Sequence, residues 1–545
     1  MGPLDPSVLN SPTDLRNQSS DELRERGRLP YPMIWENGEE GYKRVGWEEA
    51  LDLVADRTRR TISRDPDRMF TYLTSRVLPN EVYYSFQKTY LFLGTNNVDT
   101  TARICHSPST SGLKKTVGDG ATNCSYKDWV GTDLLLLVGT NMANNQPVSM
   151  KYIYHAKKAG TKVIVVNPYK EEGLDSYWVP SNLESALFGT KIMDEFYQLK
   201  HGGDTAFFNG ALKHLVENDR LEQRFLDRHT AGFDEVKEHV QALSWDRLVS
   251  DSGLGKEEII DFADQYAAAD SSVSVWSMGI TQHSYGQQNV FALSNLALSQ
   301  GRIGREKCGL NPIRGHSGVQ GGAEVGATPT QYGKGLSCDD SQASRQVSKS
   351  WGFDVPTGPG LGAMEAIDEM YNGNIDLLYS VGGNFLKTLP QPRYVSQALD
   401  RVQVKVFQDL VINPMMLMEP EDVNVIFPAA TRYEMPGGCT ETTTERRVIY
   451  SPEIPGRRIG DARPEWEMPI EIAKRVKSED GELIEFEDPD GIRQDLSSTI
   501  PTYKPIKDLS EKGDQFQWGG PRLYEDYEFN TPDGKAHFET ANLHD

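Results

Sequence analysis

Residues 133–141 read "DLLLLVGTN" and residues 376–384 read "DLLYSVGGN", one frame, D-L-L-x-x-V-G-x-N, written twice in the chain. Each copy is followed by a Gln-Pro pair (Gln146-Pro147 and Gln391-Pro392), a helical segment and a second apolar strand. Those second strands are "KVIVVNP", reaching Asn167, and "VKVFQD", reaching Asp409. The step from the first Asn to the polar end of the second strand is 26 residues in one copy (141 to 167) and 25 in the other (384 to 409). We read this as a duplicated unit of strand, loop, helix and strand. In an open parallel sheet, glycine at the carboxyl end of a strand lets phosphates approach the backbone, and a polar residue ending the next strand meets the ribose or base. Gly139, Asn141 and Asn167 hold those places in the first copy, and Gly383, Asn384 and Asp409 in the second. Two copies point to two nucleotide-like groups. On these residues alone two unrelated buried strands ending in tight turns stay possible, because neither copy carries a full G-x-G-x-x-G.

Alternating helices and strands surround the repeat. "VGWEEALDLVADRTRRTI" places Trp47, Leu51, Val54 and Thr58 at helical spacing, "RMFTYLTSR" reads as a short strand, and "NEVYYSFQKTYLFLG" as a second amphipathic helix closed by Gly94. Between the copies, "SVSVWSMGITQHSYGQQNV" (272–290) reads as a strand and a loop carrying Gln282 and His283. "GREKCGLNPIRGHSGVQGGAEVGATP" (304–329) is a glycine-rich stretch holding Arg314 and His316. Such loops after strands suit anions or cofactors, a plain flexible loop being the alternative. "ARICHSPSTSG" (102–112) sets Cys105 beside His106 in what reads as a Ser/Pro/Gly loop. On the pair alone, the plainer reading is a buried thiol followed by a surface histidine.

Composition narrows the classes. At 545 residues the chain exceeds what one core organises, so several domains are expected. Asp+Glu 79 against Lys+Arg 57 gives a net charge of -22, which argues against nucleic acid or an anionic membrane as partner. Five cysteines without a C-x-x-C draw neither a disulfide framework nor a zinc or iron–sulfur motif, and a reducing, cytoplasmic compartment fits them. No apolar run reaches membrane-spanning length, and the N-terminal stretch has no apolar signal core.

With these motifs together, the chain resembles the molybdopterin oxidoreductases that carry a bis(guanine dinucleotide) cofactor. It is most similar to the catalytic subunit of molybdenum- or tungsten-dependent formate dehydrogenases. The stretches carrying the likeness run in the family's order: "RLPYPMIW", "VGWEEALDLVA", "FLGTNNVDTTARICHSPSTSGL", "VGDGA", "VGTNMANNQP", "VVNP", "MGITQH", "CGLNPIRGHSGVQGGAEVG", "FPAATRYEMPGGCTETTTERRV" and "NTPDGKAHFE". The resemblance puts Cys105 on the metal-ligating position, His106 on the adjacent proton-handling histidine and Arg314 on the arginine that holds the formate carboxylate. A soft thiolate suits molybdenum or tungsten, an imidazole can take a proton, and a planar guanidinium pairs a carboxylate with two prongs. Arg76, Asn141, Asn167, Met278, Gln282, Asn384 and Asp409 fall on cofactor-contacting positions.

The implied fold is α/β, with two Rossmann-like parallel-sheet domains, residues 48–100 plus 317–429 and residues 101–316, and a discontinuous third domain from 1–47 plus 430–545. The implied reaction is formate to carbon dioxide at a molybdenum (or tungsten) bis(molybdopterin guanine dinucleotide) centre. Three departures qualify the likeness. No cysteine precedes "RLPYPMIW", so no iron–sulfur cluster is expected in this chain and electrons need a redox partner subunit. "NTPDGKAHFE" is where the family's C-terminal β-barrel begins, so that domain is expected in a separate subunit or a longer native polypeptide. His316 stands where formate dehydrogenases commonly carry an amide, which leans toward the cluster-less branch. Its rivals are an enzyme of another small oxidisable substrate, a reductase of nitrate or another oxoanion, and a non-catalytic cofactor-binding subunit of a split enzyme.

Overall fold

The computed structural model describes residues 1–76 and 78–544. Its two principal sheets are built from β1 (Met33–Glu36), β2 (Lys43–Arg44), β3 (Met69–Leu73), β4 (Val98–Thr100), β5 (Leu134–Val138), β6 (Lys162–Asn167), β7 (Glu195–Gln198), β8 (Ser272–Trp276), β9 (Gly309–Pro312), β10 (Leu377–Val381), β11 (Val404–Asp409) and β12 (Val423–Pro428). The chain forms two compact units. Unit one comprises Met1–Arg103, His316–Thr443 and Arg447–Phe516; unit two comprises Ile104–Gly315, Thr444–Arg446 and the stretch from Gln517 onward. The two termini, read from sequence as a domain of their own, are thus shared out: 1–47 and 430–443 fall in unit one with 447–516, and the final segment falls in unit two.

Unit two carries a five-stranded sheet in the order β9-β8-β5-β6-β7, every neighbouring pair parallel. The chain steps outward from β5 to β6 and β7, then returns to the other side of β5 for β8 and β9. Strand order therefore reverses between β5 and β8, and the carboxyl ends of that pair are where an open α/β sheet receives a ligand. A parallel sheet is covered on both faces, which is why "LLLLV" is apolar without alternation and buried at every residue. Leu135, Leu137, Val163, Val165, Val273 and Val275 form the core beneath it with Trp129 and Met150.

Unit one repeats the scheme with a different chain order. Its sheet runs β2-β1-β12-β11-β10-β3-β4, with β4, β3, β10, β11 and β12 parallel and β1 and β2 added antiparallel at one edge. Here β10, β11 and β12 step outward, while the return side is supplied by β3 and β4 from far earlier in the chain. The reversal lies between β10 and β3. The two halves of the sequence repeat thus become the central strand pairs β5/β6 and β10/β11. Each first strand runs into an Asn that caps a four-residue helix, Met142–Asn145 or Phe385–Thr388, and each crossover ends in a nine-residue helix, Met150–Lys158 or Pro392–Asp400. The two Asn backbones match, φ -119 and ψ 75 at Asn141 against φ -138 and ψ 78 at Asn384. Among the described residues no sheet closes into a barrel, and no helix is long and apolar enough to cross a membrane.

Two local expectations differ from the structure. The helix Asn80–Leu93 is buried at all fourteen residues rather than on one face. Its polar side chains meet partners inside: Lys88 reaches Asp495 at 2.8 Å, and Glu81 accepts from Arg493 at 3.2 Å and from the Thr440 main chain at 2.9 Å. "ARICHSPSTSG" lies in a helix, Thr101–Val117, broken by non-helical geometry at His106 (φ -131, ψ 20) two residues before Pro108. Proline lacks an N–H and crowds the preceding turn, so the helix restarts there rather than running straight.

Glu465 supplies a stability prediction. Gln408 at the end of β11 donates to its carbonyl at 3.0 Å, and burial, with the Asp409 charge adding to it, pushes its carboxyl up to about 8. The folded chain keeps a proton that the unfolded chain loses near the ordinary glutamate value of 4.5, so this contribution is fully present below that value and is lost as pH rises through 8. Between those values stability should fall by up to about 1.4 kcal/mol per pH unit from this group. Thermal melts from pH 6 to 9 on the wild type and Glu465→Gln check it: the variant should gain relative stability as pH rises.

Candidate functional site

In unit two, Gly139 follows β5 with φ +56, and Gly279 follows β8; a Cβ on Gly279 would lie 2.5 Å from the Gly139 Cα. The Gly279 N–H donates to the Gly139 carbonyl at 2.9 Å. Only two residues without side chains permit this backbone approach at the switch point. A recess of about 240 Å³ opens beside it at the carboxyl ends of β5, β6 and β8. Gly139, Asn141, Asn167 and Met278 are among the residues that line it. Their roles differ. Asn167 accepts from the Thr140 N–H at 3.2 Å and donates to the Thr140 carbonyl at 3.0 Å, so its amide is spent on fixing the strand ends. Asn141 accepts from the Asn144 N–H at 3.3 Å and donates to Glu171 at 2.7 Å. The Thr140 hydroxyl, buried in the recess wall, has no hydrogen-bond partner. Gln282 does not join this group: it is exposed, beyond the short helix Met278–Thr281.

In unit one the matching place lies at the carboxyl ends of β3, β10 and β11. Gly382 has φ +63, and a Cβ on Gly383 would meet Tyr72 at 2.9 Å. Asn384 caps the helix Phe385–Thr388 without a side-chain bond, and its Oδ1 is buried with no partner. Asp409 accepts from the Leu410 N–H at 2.6 Å and from Asn413 at 3.0 Å; Asn413 also donates to the Gly383 carbonyl at 3.4 Å. Burial, opposed by these donors, raises the Asp409 carboxyl above the usual range. Arg76 follows β3 at the same end and is exposed.

A polar ligand at either place needs donors and acceptors that the protein has not already satisfied. The orphaned Asn384 Oδ1 and Thr140 Oγ1 meet that test, one in each unit. The contrast with Asn167 gives a prediction. Asn167→Ala leaves the Thr140 N–H and carbonyl short of a partner and should cost about 1–3 kcal/mol. Asn384→Ala loses no side-chain bond and should leave the denaturation midpoint within about 0.5 kcal/mol of wild type while lowering retention of a ligand bound there. Urea unfolding with ligand quantitation reads both.

The third group lies wholly in unit two. Cys105 is 9% exposed, and its carbonyl accepts from the Thr281 hydroxyl at 2.8 Å. His106 is fully buried, its Nδ1 3.2 Å from the Ser109 hydroxyl, which in turn accepts from the Trp276 indole at 2.9 Å. The other ring nitrogen, Nε2, is buried without a hydrogen-bond partner. Arg314, two residues past β9 and 5% exposed, donates from Nη2 to the Thr110 hydroxyl at 3.3 Å and the Gly120 carbonyl at 3.2 Å, while its N–H donates to Thr444 at 3.1 Å. Its charge acts on both neighbours. Burial pushes the Cys105 thiol up, with Arg314 opposing; burial and then Arg314 push His106 down to about 3, against the Ile313 backbone. The structure therefore brings Cys105, His106 and Arg314 together. Sequence reading did not single out Ser109, Thr110, Trp276 or Thr281, although the hydroxyl-rich "SPST" lay in view.

The molybdopterin oxidoreductase family model matches residues 28–475. The chain is 30% identical over 529 residues to "Probable oxidoreductase YjgC" of Bacillus subtilis, covering 95% of this chain and 50% of that protein. It is 30% identical over 533 residues to "Putative formate dehydrogenase YrhE" of the same organism, covering 96% and 51%. Against "Protein YdeP" of Escherichia coli it is 28% identical over 552 residues, covering 98% and 71%. The chain thus spans about half the length of the two Bacillus relatives. Among solved structures, acetylene hydratase from Pelobacter acetylenicus shares the fold with a TM-score of 0.70 at 18% identity, covering 96% of this chain and 70% of that one.

Proposed function

This chain belongs to the molybdopterin oxidoreductase family, and from that premise we propose that it oxidises formate to carbon dioxide, with molybdenum or tungsten held by a bis(molybdopterin guanine dinucleotide) cofactor. The observation that carries the reading is the burial of Cys105, His106 and Arg314 in one place, with His106 Nε2 left unpartnered. When bound, the cofactor supplies the metal and a two-electron acceptor. The chain's own residues do the rest. Cys105 offers Sγ to the metal as a soft ligand. On this reading Cys105 would be the ligand that the chain supplies, and the cofactor would supply the others. Arg314, steadied by Thr110 and Gly120, holds the formate carboxylate beside them. Formate leaves as carbon dioxide, giving up two electrons and a proton; His106 is the residue this reading assigns to that proton, and because burial and the Arg314 charge hold its ring neutral, uptake there requires formate on Arg314 to offset that charge. Ser109 and Trp276 orient the His106 ring from the other side. Asn141 with Thr140, and Asn384 with Asp409, hold the two dinucleotide ends. The reading includes a redox partner subunit to receive the electrons.

The test is formate-dependent dye reduction by the purified chain with its metal and dinucleotide content verified. Reduction that requires formate supports the reading. A loaded protein inert to formate moves the assignment to another substrate in the family or to a cofactor-holding subunit.

A further inference from the structure

Unit two holds a second recess, of about 440 Å³, that the proposed reaction does not use. It lies at the amino ends of β8 and β9, opposite the end of the sheet that carries Gly139 and Met278. Four arginines line it: Arg224, Arg228, Arg302 and Arg305. Arg302 is 7% exposed; its two Nη groups donate to the main-chain carbonyls of Asp270 and Ala269, and its Nε is buried without a partner. Arg305 donates to the Asp270 carbonyl at 2.5 Å and the Gly301 carbonyl at 3.3 Å. Arg224 and Arg228 are exposed and stand one turn apart on the helix Gln223–His229, a like-charge spacing that disfavours the empty helix. One carboxylate, Glu222, shares the lining with them. The chain as a whole carries a net charge of -22, so this concentration of guanidinium groups is not a sample of its general surface.

Aromatic rings complete the recess. Tyr527 lies 4.6 Å from His229 and 5.5 Å from Phe225, centroid to centroid. Tyr527 sits at φ +57, in the left-handed region that disfavours a residue with a side chain, and the fold holds its ring there nonetheless.

We propose that this recess binds a phosphorylated aromatic ligand of mononucleotide size, with its phosphoryl oxygens on Arg224, Arg228, Arg302 and Arg305 and its ring against Tyr527 and His229. Planar guanidinium forks match phosphoryl oxygens with paired hydrogen bonds. A flat ring gains contact area and stacking on Tyr527. The volume lies in the range of small-ligand sites. This site goes beyond the formate reading and does not depend on it.

Calorimetric titration of the full chain with ADP, pyrophosphate and adenosine tests the proposal. Arg302→Gln would strip donors from two main-chain carbonyls, so the exposed pair Arg224→Gln/Arg228→Gln serves instead, with Tyr527→Gly, which suits the positive φ, as the ring deletion. ADP and pyrophosphate should bind and adenosine should not. The double arginine variant should weaken both by about tenfold or more, and Tyr527→Gly should weaken ADP while leaving pyrophosphate within about twofold. Absence of binding by both phosphate compounds overturns the site and leaves an acidic partner segment as the better occupant. ADP affinity unchanged in the double variant also overturns it, since the heat then comes from the switch-point recesses. Full ADP affinity in Tyr527→Gly overturns the aromatic half and with it the proposal as stated.

Discussion

Cys105→Ser is expected to lower formate-dependent turnover by about a thousandfold or more while leaving the fold intact. The two halves of this expectation have separate causes. A serine hydroxyl is a hard donor that stays protonated at neutral pH, and molybdenum or tungsten favours the soft, ionisable sulfur it replaces. Stability should hold because the hydrogen bond made at this residue, from the Thr281 hydroxyl, goes to the main-chain carbonyl, which serine keeps. The side chains are close in volume, so the cost should stay below about 1 kcal/mol. Three measurements on one preparation separate the outcomes: melting temperature, metal per chain, and dye reduction at saturating formate. A variant that melts like wild type and turns over at the full rate removes Cys105 from the centre and returns it to the status of the other buried thiols, Cys124, Cys308, Cys338 and Cys439.

The sequence repeat made the paired cradles legible because a parallel sheet buried on both faces writes itself as unbroken apolar runs, and because each run ends in Gly-x-Asn or Gly-Gly-Asn at the carboxyl edge. What it could not convey was which strands complete each sheet. β3 and β4 pair beside β10 from about 300 residues earlier, and nothing local in "MFTYL" or "VDT" marks that partner. The helix Asn80–Leu93 was open to misreading for a related reason: Glu81, Gln87 and Lys88 look like a solvated face until Arg493 and Asp495, some 400 residues later, arrive to pair two of them. At the sites, residue type did not convey what each side chain bonds to. Asn141, Asn167 and Asn384 read alike in sequence, yet Asn167 is consumed by the Thr140 backbone while Asn384 keeps an unsatisfied oxygen. Met278 lines its recess, but Gln282, four residues on, falls on the exposed end of the following turn.

Arg314→Lys is expected to lower kcat/KM for formate by about a hundredfold, chiefly by raising KM. Lysine keeps the positive charge, so any role met by charge alone survives. It cannot keep the geometry. The guanidinium uses one Nη to reach the Thr110 hydroxyl and the Gly120 carbonyl, which fixes the plane of the fork and leaves the side chain held in one orientation. An ammonium on a flexible stem meets a carboxylate as a point charge, loses the second hydrogen bond, and must be ordered at an entropic cost that the tethered guanidinium has largely met on folding. His106→Ala should show the opposite split, a fall in kcat with formate KM little changed, because Nε2 is proposed to act on the proton and not on the carboxylate. Initial rates against formate concentration, at matched metal content, give both parameters in each variant. If Arg314→Lys kept the wild-type KM, the carboxylate would have to be held elsewhere, and the burial of an arginine beside Cys105 would be explained by its charge acting on that thiol instead.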